Sequence, residues 1–179
     1  MGRKIGLRFF ERDARIVAKD LLGKIIVRKF RKKFLKGKIV ETEAYFGKSD
    51  PASWARYGKR KDNFSMWEKG GTILIKNVHK HLMLNFVTGK KGFPEAVLIR
   101  AIEPINFEGR CSGPGLLTKD FLINKNMNAK NLFDSDDLFI EDSCEKFKIG
   151  KSPRVGVKND LKILLRFYIK GNKCVSSLK

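Results

Sequence analysis

The chain has 179 residues, of which 42% are hydrophobic and 14 are Phe, enough for one domain with a real core and too apolar for a disordered basic tail. Its 39 Lys and Arg against 19 Asp and Glu leave +20, an excess that repels itself when compact and is tolerated where a polyanion is the partner; a lysine-rich proteome is the alternative source. Three scattered Cys without a CxxC pair, two His, and no apolar run of signal or membrane-span length exclude a closed zinc centre, a disulfide scaffold and a membrane anchor.

Residues 11–22 read as a helix, with Ala14, Val17, Ala18, Leu21 and Leu22 at helical spacing and Gly23 as its stop. Residues 24–30 (KIIVRKF) and 37–45 (GKIVETEAY) are rich in β-formers and flank the basic turn RKKFLKG, which predicts a hairpin. Residues 46–63 are irregular. Residues 72–78 and 81–87 predict two strands around a polar turn at His79 and Lys80, and 96–102 (AVLIRAI) a largely buried strand. Residues 113–123 open with GPG and continue as a short helix, and 165–169 form a last strand. Strands dominate, with helices at the ends and between them. The expected fold is α+β: one compact domain over 1–179, a mostly antiparallel curved sheet flanked by helices.

On the strand 39–45, alternation puts Glu41, Glu43 and Tyr45 on one face and Val40, Thr42 and Ala44 on the other. A glutamate beside an aromatic ring can act as a general base on water. Alternatively, both are exposed strand residues paired with lysines. Arg100, a charge within AVLIRAI, must line a cavity or find a carboxylate such as Glu103. The segment SWARYGKRKDN mixes rings (Trp54, Tyr57) with the cations Arg56, Lys59, Arg60 and Lys61. Rings that stack on bases beside cations that meet phosphates hold unstacked nucleotides.

Five blocks in order then resemble one family. ARIVAKDLLGKIIVR is similar to its opening helix and strand, and IVETEAYFGKSDPAS to its most diagnostic motif; AVLIRAIEP, GPGLLTKDFLI and RVGV…LRFYIKG match later blocks. The family is the alkyladenine (3-methyladenine) DNA glycosylases. The resemblance implies a monofunctional enzyme that binds duplex DNA through a hairpin on its DNA-facing side. It flips out a damaged purine of the 3-methyladenine, 7-methylguanine or hypoxanthine type and hydrolyses its N-glycosidic bond, because the stack shields that bond. By resemblance Glu43 is the catalytic base, Glu41 its structural neighbour, and Tyr45 the wall on which the flipped base stacks. Arg100 matches an arginine near the catalytic water and phosphate, and Asn85 the asparagine that disfavours guanine's amino group. No cofactor or metal is implied, and the protein is expected to be an intracellular monomer.

The chain also departs from the family. Trp54 stands where a histidine is usual, Leu116 where a lysine is, and Asp62 where an arginine is. The family's tyrosine-rich strand reads TILIKNVHK here, after a one-residue length difference. Its second stacking tyrosine corresponds to Ile75, and its intercalating tyrosine to Val78 or His79. Two other readings are a non-catalytic damaged-DNA-binding protein on the same scaffold and a basic RNA-binding protein; a retained Glu43 discriminates against both.

Overall fold

One long strand organises the sheet. In the computed structural model, which describes residues 2–134 and 136–176, β2 (Lys33–Tyr45) has neighbours on both edges. Its first half pairs with β1 (Ile25–Phe30), Phe30 opposite Lys33, so Arg31 and Lys32 alone make the turn. The expected seven-residue basic turn is therefore corrected to two residues, with Arg31 at φ 55°. Tight turns of left-handed backbone match the twist of the strands they join, which favours extending the ladder over looping out Phe34 and Leu35.

The other edge of β2 pairs with β5 (Glu95–Pro104). Beyond the end of β1, at Glu41 to Glu43, the first edge is taken over by β8 (Arg166–Ile169). Register shifts between Ile39 and Thr42 mark the handover, as expected of a bulge, which bends a strand and raises its twist. With β3 (Ile73–Val78), β4 (His81–Thr88), β6 (Leu138–Glu141) and β7 (Ile149–Ser152), the order is β3-β4-β5-β2-β1-β6, with β8 between β2 and β7. Every pairing is antiparallel, and the sheet curls as the α+β reading expected.

The helix expected over 11–22 is shorter, α2 (Ala14–Leu21), and a one-turn α1 (Leu7–Phe10) precedes it. Asp13 caps α2 by accepting the amide N–H of Arg15, and Ala14, Val17, Ala18 and Leu21 are buried. Thr42 donates its hydroxyl to the carbonyl of Ala18 at 2.8 Å, so α2 lies over the Val40, Thr42 and Ala44 side of β2. A third helix, α3 (Pro114–Asp120), follows the GPG turn. No described helix is long and apolar enough to cross a membrane.

Candidate active site

Cross-strand pairing builds the site. Residues directly opposite in a sheet share a face, and one row runs Leu74, Asn85, Leu98, Glu43, Arg166 across β3, β4, β5, β2 and β8. Glu43 thus faces the same side as Asn85, with a single leucine between them.

Glu41 and Glu43 are both fully buried, and their partners are arginines rather than lysines, which overturns the exposed-strand reading. Glu41 accepts from Arg100 Nε and Arg166 Nε, both at 2.7 Å, and from the Ser176 amide at 2.7 Å and hydroxyl at 2.8 Å. Three of these donors meet Oε1 and one meets Oε2, and all are themselves buried. Glu43 accepts from the Tyr45 hydroxyl at 2.8 Å and the Val155 amide at 2.8 Å, with Arg100 Nη1 at 3.3 Å.

Burial pushes both carboxyls up. At Glu41 the hydrogen bond from Arg166, the charge of Arg100 and the bonds from Ser176 outweigh it and hold the group below its ordinary value. At Glu43 burial prevails over Arg100, Val155 and Tyr45, and the carboxyl rises. Two carboxylates two residues apart are thereby driven in opposite directions, a pattern that separates a base from a structural anion. Arg100 links the two; its alternative partner, Glu103, pairs instead with Lys38 at 2.9 Å.

All three partners of Glu43, namely Tyr45, Arg100 and Val155, line a cavity of about 430 Å³. That volume is of the size that holds a small planar ligand. The walls follow strand alternation: Leu74, Lys76 and Val78 from β3, Met83 and Asn85 from β4, and Ala96, Leu98 and Arg100 from β5. Trp54 stands among them, half-buried, against a small apolar cluster of Ala55, Met66, Leu74, Val87 and Ala96. Asn85 is fixed by its amide nitrogen, which donates to the carbonyls of Leu74 (3.2 Å) and Met83 (3.0 Å).

Ile75 is not among the walls. It is buried in the main core opposite Leu84, and its neighbours Leu74 and Lys76 take the cavity side. The cause is parity: a one-residue offset in a strand exchanges its faces, and the two-residue turn at His79 and Lys80 sets Leu74, not Ile75, opposite Asn85. Both turn residues have positive φ, 46° and 73°. Val78 and His79 line the cavity from the hairpin tip.

The loop after β2 is fastened by two buried polar side chains. Asp50 accepts the amides of Phe46 and Ala52, each at 3.0 Å, and holds Arg154 through both oxygens at 2.6 and 2.8 Å. Asn63 donates to the carbonyls of Trp54 (2.9 Å) and Gly58 (3.1 Å) and accepts from the Arg60 amide. Arg154 also pairs with Asp160 and places its guanidinium 4.5 Å from the Tyr45 ring centroid. It thereby anchors both the ring that donates to Glu43 and the neighbouring Val155 amide. The sequence by itself assigns no role to Arg154, Asp50, Val155, Arg166 or Ser176; the first four lie within the matched blocks, and Ser176 lies outside them. Arg56, Lys59, Arg60 and Lys61 are exposed on the same loop, Arg60 pairing with Asp62 at 3.1 Å, and Leu116 is partly exposed on α3.

The profile of the family described as Methylpurine-DNA glycosylase (MPG) matches residues 8–173. Three relatives carry the name "Putative 3-methyladenine DNA glycosylase". The one from Clostridium botulinum is 37% identical over 194 residues, covering 94% of this chain and 96% of the relative. The Legionella pneumophila relative is 40% identical over 180 residues (97% and 98%), and that of Borrelia garinii 41% over 180 residues (94% and 97%). Matched from its first helix to past its last strand, the chain belongs to the methylpurine-DNA glycosylase family, DNA-repair enzymes that hydrolyse N-glycosyl bonds.

Proposed function

We propose that this enzyme flips an alkylated or deaminated purine out of duplex DNA into the cavity between Tyr45 and Trp54, where water activated by Glu43 attacks the sugar C1′. The bond to the purine breaks with its electron pair going to the base, and the water proton goes to Glu43. One observation carries this reading: Glu43 is a desolvated carboxyl with raised proton affinity, held by three residues that all face the cavity. A base must hold its proton only moderately well, and burial provides that where Glu41's arginines deny it.

In this reading Asn85, rigidly held, occupies the space that guanine's amino group needs. Val78 or His79, at the hairpin tip, fills the gap left by the flipped base, while Arg56, Lys59, Arg60 and Lys61 meet phosphates. N-alkylated purines are cationic and depart as neutral bases, so they need little help in leaving.

The test is single-turnover base release from duplexes with one defined lesion each, comparing wild type, Glu43→Gln and Glu41→Gln. A general base contributes roughly 10²–10⁴-fold, and Glu43→Gln should lose at least that much while still binding lesion DNA. Release at the wild-type rate by Glu43→Gln overturns the assignment.

A further inference from the structure

Lys76 is a cationic cavity-lining side chain that this mechanism leaves unused. It lies midway along β3, opposite Met83, on the side that carries Leu74 and Asn85. It is half-buried, and among the described residues no carboxylate lies within ion-pair distance of its ammonium. Its ammonium lies over the Trp54 ring, with Nζ 5.2 Å from the centroid. A half-desolvated cation held against an aromatic wall, with donors to spare, is costly to fold unless something that enters the cavity uses it.

Resting on the reading that the flipped purine occupies this cavity, we infer that Lys76 is a catalytic residue for neutral purines. Its ammonium donates a hydrogen bond to a ring nitrogen or carbonyl oxygen of the departing base. When a neutral purine such as hypoxanthine leaves, the pair of electrons from the C1′–N bond makes it an anion. A donor already aimed at the acceptor stabilises that charge as it develops. The anion takes a proton from Lys76, which recovers one from solvent at the cavity mouth, and the overall reaction stays a hydrolysis. Partial burial, and then the nearby guanidiniums of Arg56 and Arg60, lower the proton affinity of this amine, which makes it the better acid.

The same charge acts against the other substrate class. A purine already cationic through N-alkylation gains nothing from a proton donor and meets a like charge in a poorly solvated space. Lys76 therefore biases the enzyme toward deaminated over N-alkylated purines. It does so from the strand position next to Ile75, where the departure from the family motif suggested only a missing stacking ring.

The experiment measures single-turnover release of hypoxanthine and of 7-methylguanine from otherwise identical duplexes by wild type, Lys76→Met and Lys76→Arg. Melting curves confirm that each variant is folded. Lys76→Met should lower the ratio of hypoxanthine to 7-methylguanine release by about tenfold or more, the scale of one donor to developing charge, and Lys76→Arg should restore much of it. An unchanged ratio, or an equal loss on both lesions as a phosphate contact gives, overturns the role of Lys76 while leaving the glycosylase reading intact. Failure of wild type to release either base overturns both.

Discussion

Two regions meet at β2 and use the same residue types for opposite ends. Below, around Glu41, two arginines and Ser176 supply four donors to one carboxylate and lock β2, β5, β8 and the segment after β8 together. Above, around Glu43, a second carboxylate has fewer charged partners and touches the residues that line an open cavity. Arg100 reaches both. The contrast teaches that a buried acid becomes a candidate base when it is under-compensated, and a structural anchor when its charges are fully matched.

The sharpest break of this comparison is Glu43→Gln, for which the excision rate should fall at least ~10²-fold with no loss of fold. Because the folded-state pKa of Glu43 is raised, its contribution to stability is present at acid pH and declines as pH rises toward that value. Melting temperatures measured across pH should therefore show Glu43→Gln gaining on wild type toward neutrality. A variant that melts well below wild type at neutral pH contradicts the under-compensated carboxyl.

Next comes Glu41→Gln, which strips Arg166 and Arg100 of their shared anion and should cost about 3 kcal/mol, the low end for breaking a buried pair, since Arg100 keeps Glu43. Here the folded-state pKa is lowered, so the stabilisation is complete above the ordinary value and is lost as pH falls through the depressed one. Denaturant titrations should show the gap to wild type wide at neutral pH and narrowing only in strong acid. Full stability at neutral pH would remove the distinction between the two carboxylates.

On the cavity side, Trp54→Ala should weaken lesion-specific binding by about 1–3 kcal/mol, the worth of one base–aromatic stack. Because Trp54 also rests on the small apolar cluster, a modest fall in melting temperature should accompany it. Equal weakening on damaged and intact duplex would reduce Trp54 to packing. The smallest effect concerns Asn85→Ser, which frees space beside Leu98. Release of alkylated guanine relative to adenine lesions should rise by about tenfold, as expected of one relieved steric clash, and unchanged relative rates would move the selectivity elsewhere.

The hairpins, the buried strand at 96–102, the body of the first long helix and the two-carboxylate face were legible because alternation, helical spacing and turn residues are local signals. The roles expected of Glu43, Tyr45, Arg100 and Asn85 came instead from resemblance to a family's motifs, since periodicity alone left the two glutamates open between a base and exposed strand residues. Four things needed the folded chain. The clamp of Arg154 on Asp50 joins residues 104 positions apart, and the Ser176 contacts with Glu41 join residues 135 apart; no local pattern encodes either. The burial of both glutamates depended on β8 closing over the edge that β1 vacates. Whether Ile75 or Lys76 enters the cavity turned on one residue of register at a hairpin, which motif alignment leaves open and backbone hydrogen bonding decides. The amino-acid sequence thus determined which chemical groups are present and on which strands, since periodicity acts over a few residues. The tertiary structure decided which carboxyl is lowered by its arginines, which is raised by burial, and which cation lines the neighbouring cavity, since desolvation and charge pairing depend on neighbours the chain brings together only when folded.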